Sequence, residues 1–299
     1  MNKVICIVGP TAVGKTKLSI ELAKIYNGEV INADSTQIYK GLDIATAKVT
    51  EEEKENIKHH LLGIRNWDEL YTLYDYQRDC RAKIEEILAQ NKTPILVGGT
   101  GLYIKAALYD YQLEEEPISI TSYSEETLIL YNRLKKINPN TTIHPNNRKR
   151  IERALSYYEQ TGKILEQKPK AQKLLYPTIM LGLTTERDIL YQKINQRVDT
   201  MVQKGLLEEA KAIYDQPLRT KAIMTPIGYK ELFAYFSGVD TLEHCLVQIK
   251  QHSRNYAKRQ YTWFQNQMQV EWLSVDFLHF KRTIQLACER VNQIEKTLL

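Results

Sequence analysis

Eight residues near the N-terminus, Gly9-Pro10-Thr11-Ala12-Val13-Gly14-Lys15-Thr16, carry the spacing G-x-x-x-x-G-K-[ST]. Glycines at the two ends let backbone N–H groups turn inward around phosphate oxygens. A helix starting at the lysine adds the favourable field of its N-terminus. Lys15 supplies a point charge, and the Thr16 hydroxyl is a ligand type suited to Mg²⁺. Loops of this kind serve many nucleotide- and ATP-binding proteins, but the residues themselves establish a bound phosphate or diphosphate, not ATP. Two further groups fall where a second reactant would meet that anion. Asp34, in Asn32-Ala33-Asp34-Ser35-Thr36-Gln37, can accept a proton from a nucleophile or hold Mg²⁺ through water; it can equally cap a following helix. Thr100, in Gly98-Gly99-Thr100-Gly101, can reach the same cleft or serve as a helix cap.

The elements around these residues give them a common address. Val4-Ile5-Cys6-Ile7-Val8 is a continuous apolar run, the pattern of a strand buried on both faces, and Lys15 to Tyr26 reads as a helix with Leu18, Leu22 and Ile25 at helical spacing. A second strand, Glu29 to Ala33, ends at Asp34. A helix from about Asp75 to Gln90 presents Tyr76, Cys80, Ile84, Ile87 and Leu88, and a third strand, Pro94 to Val97, stops at Gly98-Gly99. Strands alternating with helices imply a parallel, layered α/β sheet, whose ligands bind beyond the carboxyl ends of the strands. The loop, Asp34 and Thr100 all fall at such ends. From Leu113 to Lys173 strand character vanishes; Glu114, Glu115 and Glu116, a Ser/Thr/Tyr stretch and two basic amphipathic helices take its place. Strands return at Thr178–Leu181 and Val270–Leu273, with helices expected over Leu190–Tyr214 and Leu242–Gln267. The expected division is a P-loop α/β core over 1–112, a helical insertion over 113–174 and the rest of the core over 175–299.

Bulk properties narrow the classes. A net charge of +5 over 299 residues permits a polyanionic partner without demanding one. Four dispersed cysteines, Cys6, Cys80, Cys245 and Cys288, argue against a zinc site or a disulfide framework. No apolar stretch approaches the roughly 18 residues needed to span a bilayer, so no membrane association is expected and the cytoplasm is the expected compartment. Arg148, Lys149, Arg150 and Arg153 open one amphipathic helix, while Lys250, Arg254 and Lys258 recur every fourth residue in another. Either stripe by itself fits a solvated helix face. His59-His60 invites a metal reading, but adjacent side chains diverge on a helix or strand, and a structural role fits better.

The ordered blocks GPTAVGKT, INADSTQIYKGLDIATAK, KHHLL, GGTGLY, HPNNRKRIERAL, RVDTMVQKGLLEE, PIGYKE and RNYAKRQYTWF resemble the bacterial tRNA dimethylallyltransferase family from Gly9 to Phe264. That resemblance implies a P-loop-kinase-like core with a helical insertion gripping the tRNA anticodon stem-loop. It also implies transfer of a dimethylallyl group from dimethylallyl diphosphate to N6 of adenosine 37, with Mg²⁺ as cofactor. It makes Asp34 the general base, puts the diphosphate on Gly9 through Thr16, and gives Arg197 as a second cation with Thr16 on the metal. Ser35, Thr36, Gln37 and Thr100, with the run Lys149, Arg150, Ile151, Glu152 and Arg153, would meet the tRNA. The chain departs from the family's pattern over Thr121–Thr142 and Gln216–Lys221, both short here. A monomer is expected. Three other readings stay open: a small-metabolite P-loop kinase using ATP, with Asp34 activating a hydroxyl, a P-loop nucleic-acid-binding regulator using nucleotide as a switch, and an adenylate isopentenyltransferase acting on free nucleotides.

Overall fold

The structure is a computed structural model describing residues 3–113, 120–165 and 173–298, so Glu114, Glu115 and Glu116 lie outside the described residues. β1 (Val4–Val8) is fully buried and leads through the glycine loop into α1 (Lys15–Ile25). β2 (Gly28–Asn32), the two-residue β3 (His59–His60), α2 (Leu73–Ala89), β4 (Thr93–Val97) and α3 (Gly101–Leu108) follow. After α4 (Thr127–Ile137) and α5 (Arg148–Thr161) come β5 (Thr178–Thr184), α6 (Arg187–Gln203), α7 (Leu206–Tyr214), α8 (Lys221–Met224) and α9 (Tyr229–Phe236). The long α10 (Leu242–Gln267), β6 (Glu271–Ser274) and α11 (Phe280–Leu298) complete the chain. The strands form one parallel sheet in the order β3-β2-β4-β1-β5-β6.

Side-chain alternation along β1 explains why both sheet faces are covered. Ile5 and Ile7 point to one face, where Leu18 and Leu22 of α1 and Ala287 and Val291 of α11 seal them. Cys6 points to the other, beside Cys80 of α2; burial drives its thiol far above the ordinary range, so it is an inert core residue. A second core joins α6, α7, α9 and α10 through Val198, Leu206, Ala210, Tyr229, Leu232 and Ile249.

Two compact units result, one of Met1–Tyr111 with Gln172–Leu299 and one of Gln112–Ala171. In the second, α4 and α5 pack Leu130 and Leu134 against Ile151, Ala154 and Leu155. In the first, the exit and return of the chain run side by side: Tyr109 and Leu174 form an antiparallel bridge, Asp110 N–H donates to Lys173 O at 3.0 Å, and Leu175 N–H to Leu108 O at 2.9 Å.

Two local expectations differ from the structure, and the structural reading of His59-His60 agrees with it. Leu190–Tyr214 is two helices, because Gly205 at φ 97 adopts a left-handed conformation that ends α6 and starts α7. Ile25 is 52% exposed; the buried face of α1 runs through Leu18, Ser19, Ile20, Leu22 and Ala23 instead. His59-His60 is a short edge strand beside β2. There His60 Nε2 lies 2.6 Å from the buried Glu29 carboxylate, which also accepts from Lys92 at 2.6 Å.

Candidate functional site

The glycine loop connects β1 to α1 through backbone geometry that other residues do not reach easily. Gly9 has φ 132, and a Cβ there would sit 2.6 Å from the Leu183 carbonyl oxygen of β5. Gly14, at φ 96, caps α1 and faces the Phe280 ring of α11, 2.8 Å from where a Cβ would be. Ala12 also takes a left-handed φ of 65. The loop is therefore wedged between β5 and α11. Lys15 Nζ donates to the Pro10 carbonyl at 2.7 Å, folding the ammonium over the loop. Thr16 lies exposed in the first turn of α1.

Asp34 follows directly from β2. The buried Asn32 fixes its backbone: Asn32 Oδ1 accepts from Asp34 N–H at 3.0 Å, and Nδ2 donates to the Asp34 and Leu61 carbonyls. Asp34 Oδ1 accepts from Thr36 N–H at 3.0 Å and Thr36 Oγ1 at 2.7 Å, an Asx turn rather than a helix cap. Its Oδ2 lies beside Gly99. The loop after β4 is pressed against this turn, since a Cβ on Gly98 would be 2.2 Å from the Ala33 carbonyl. Thr100 does occupy the N-cap position of α3, yet its hydroxyl makes no cap bond. It accepts from Ser35 N–H at 3.1 Å and donates to Ser35 Oγ at 3.3 Å. Gln37 Nε2 donates to the Thr46 and Ala47 carbonyls.

Charge ties these ends together. Lys15 is brought down to about 7 by loss of hydration and then by the like charge of Arg197, against the pull of Asp34. Arg197, from α6, is itself lowered by burial, with Asp34 acting in the opposite sense. Lys15, Arg197 and Asp34 thus share one electrostatic field at the carboxyl ends of β1 and β2. An anion placed there would restore the charge that burial opposes.

Sequence reasoning missed the part that α10 contributes. Gln260, only 5% exposed, accepts from Thr11 N–H at 2.9 Å through Oε1 and donates to the Gly99 carbonyl at 3.0 Å through Nε2. Tyr256 lies near Thr100 and Gln260, and burial raises its phenol well above the usual value. Trp263 packs onto Gly101, where a Cβ would be 2.1 Å from its ring. The available signal was a glutamine on the buried stripe Cys245, Ile249, Ala257, Gln260, Phe264, where helical periodicity asks for an apolar residue. An open groove of about 560 Å³ runs along α10, lined among others by Asn255, Lys258, Arg259 and Trp263. Of the Lys250, Arg254, Lys258 stripe, Lys250 pairs with Asp199 at 2.6 Å and Arg254 donates to Asn195 at 2.7 Å, docking α10 on α6; Lys258 is exposed.

In the helical unit, Lys149, Arg150 and Arg153 are exposed, while Ile151 is fully buried in the α4–α5 core. Glu152 is half-buried, with Oε1 accepting from Arg148 Nε at 2.8 Å. The side chains this run offers to a partner are therefore the three cations.

Comparison with known proteins follows the same geography. The family described as IPP transferase matches residues 37–267. The chain belongs to the IPP transferase family. Its relatives include a tRNA dimethylallyltransferase of Anoxybacillus flavithermus, 49% identical over 98% of this chain and 95% of that protein. Another, of Bacillus subtilis, is 49% identical over 91% and 90%. Among solved structures, a full-length tRNA isopentenylpyrophosphate transferase of Bacillus halodurans is similar, with a TM-score of 0.74 and 40% identity over 99% of both chains. A eukaryotic dimethylallyltransferase acting on tRNA gives a TM-score of 0.81 at 32% identity, covering 97% of this chain and 80% of that one. The glycine loop and Asp34 precede the matched family segment, and the near full-length relative of Anoxybacillus flavithermus extends across them.

Proposed function

We infer that the chain transfers a dimethylallyl group from dimethylallyl diphosphate to N6 of adenosine 37 in tRNA, releasing diphosphate. The observation that supports the site assignment is Lys15 folded over the glycine loop, with Asp34 at the end of β2 and Arg197 near enough to act on its charge: two cations for a departing diphosphate, and one carboxylate for an incoming nucleophile. An adenine exocyclic amine is a weak nucleophile because its lone pair is delocalised into the ring. Asp34 takes the amine proton as nitrogen attacks the allylic carbon. As the C–O bond breaks, negative charge gathers on the diphosphate, and N–H groups of the glycine loop together with Lys15 and Arg197 stabilise it. A base stacked in a loop does not reach such a cleft, so the adenine is flipped out to react.

Thr16 is exposed at the head of α1, and among the described residues no group of three or more His, Cys, Asp or Glu gathers around a metal. A single hydroxyl suits Mg²⁺, which takes most of its shell from phosphate oxygens and water. Thr16 would hold it, and the ion would supply further positive charge to the diphosphate. Lys149, Arg150 and Arg153 bind tRNA phosphates, and Ser35, Thr36 and Thr100 border the adenine. The protein acts in the cytoplasm as a monomer.

The test is incubation with dimethylallyl diphosphate, Mg²⁺ and unmodified tRNA, followed by mass analysis of the nucleosides, with ATP and a panel of small alcohols as the matching control. A dimethylallyl adduct on adenosine 37 is expected. Phosphoryl transfer to an alcohol without that adduct would replace this reading with a kinase, and prenylation of free adenylate but not tRNA would replace it with the nucleotide-directed activity.

A further inference from the structure

The side chain of Gln260 occupies an unusual place for a residue so far from the ends of the sheet in sequence. It sits on the buried stripe of α10, where an apolar residue would pack without cost, and a polar side chain at 5% exposure is tolerated only when its hydrogen bonds are made. Its amide bonds to backbone in two different loops: Oε1 accepts from Thr11 of the phosphate loop, and Nε2 donates to Gly99 of the loop after β4. The amide is held in one orientation, because a flip would set Nε2 against the Thr11 N–H and Oε1 against the Gly99 carbonyl. Gly99 is small for the same reason, since a Cβ there would stand 2.0 Å from Gln260 Nε2. From Gly99 the chain continues to Thr100, whose hydroxyl holds Ser35, and Asp34 Oδ2 lies close to Gly99 as well.

We propose that Gln260 is a positioning residue that fixes the diphosphate loop relative to the Asp34–Thr100 wall, setting the distance between the departing and attacking groups. This rests on the function proposed above. Each substrate has its own subsite: the donor on the loop and its cations, the base by Asp34 and Thr100. The amide spans the two, so its loss changes their alignment more than the affinity of either. A small displacement between reacting groups is enough to cost about a hundredfold in rate.

The experiment compares the unsubstituted chain, whose transfer to tRNA is the control supplied by the proposed function, with Gln260→Glu, Gln260→Leu and Gly99→Ala. The Glu variant keeps shape while replacing the Nε2 donor by an acceptor. The expected result is a kcat lowered at least about tenfold in Gln260→Leu and Gln260→Glu. The KM for dimethylallyl diphosphate and the Kd for tRNA should change less than about twofold. The Gly99→Ala, Gln260→Leu double variant should be no slower than the slower single one, because both substitutions disrupt the same link. Unchanged kcat in both Gln260 variants would overturn the proposal. So would a loss expressed wholly as weaker binding of one substrate, or multiplicative effects in the double variant. Thermal melts of every variant separate these outcomes from unfolding, and the isosteric Glu variant keeps the test open should the Leu variant not fold.

Discussion

The two oxygens of Asp34 have different surroundings, and that difference bears on its chemistry. Oδ1 is engaged by the Thr36 amide and hydroxyl, which hold the carboxylate in place, while Oδ2 lies toward Gly99. Asp34→Ala is expected to lower transfer by at least about a hundredfold, in line with loss of a general base, and to leave the Kd for tRNA within about twofold; filter binding beside the nucleoside assay checks both. Arg197→Ala is expected to raise the barrier by about 3 kcal/mol, the usual loss when a preorganised charge donor is removed, and single-turnover rates at saturating donor measure it. Lys15, Thr16, Asp34 and Thr100 were legible in the sequence because each sits in a short block whose spacing carries its own geometry. Gln260 was not, because its partners Thr11 and Gly99 lie 249 and 161 residues away. Ile151 shows the opposite case: helical periodicity alone puts it on the apolar face of α5, and the structure buries it in the core.

At the scale of elements, β3 shows how a pair of residues too short for any periodicity can still finish a sheet edge. His59 and His60 pair with Val30 and Ile31, and burial lowers both imidazoles below the ordinary value of 6.5. His59 Nδ1–H donates to the Ile57 carbonyl, and its buried Nε2 has no hydrogen-bond partner among the described residues. Burial alone would raise Glu29, but bonds from Lys92 and His60 outweigh it and hold its carboxyl below 4.5. With the imidazoles lowered in the folded state, the unfolded chain takes up protons first as pH falls. Their contribution is whole above 6.5 and drains away below it, and Glu29 adds a second loss below 4.5. Urea midpoints for the native chain should therefore drop between about pH 7.5 and 5.5, and by less in His59→Leu; equal slopes in the two would remove the histidines from the acid response. The break at Gly205 escaped the sequence for a related reason. Apolar spacing continues from α6 into α7, and only the left-handed backbone shows where one helix stops. The helix over Leu242–Gln267 was readable to the residue, because a 26-residue amphipathic pattern leaves little freedom of phase.

Across the whole molecule, the parallel sheet could be read from the alternation of strands and helices, whereas its order could not, since which strands become neighbours depends on crossovers that leave no local pattern. Charge acts at this scale too. Replacing Lys149 and Arg153 by Gln should weaken tRNA binding and lower the slope of log Kd against log salt by about 1 for each phosphate that is no longer neutralised; titrations at several salt concentrations measure it, and an unaltered slope would assign these cations to open solvent. The bridge between Tyr109 and Leu174, flanked by the Asp110–Lys173 and Leu175–Leu108 bonds, has its own consequence. Because it joins the two ends of the intervening segment within the sheet-bearing unit, that segment can be treated as a replaceable cartridge between two fixed ends. Closing a chain over a longer or shorter span changes the entropic cost by only about 0.6 kcal/mol per doubling. Swapping residues 112–171 for a tight Gly-Asn turn should then leave a catalyst body that melts cooperatively and still takes up dimethylallyl diphosphate, stripped of its hold on RNA. Cartridges of other lengths could be exchanged between the same two ends without rebuilding the sheet-bearing unit.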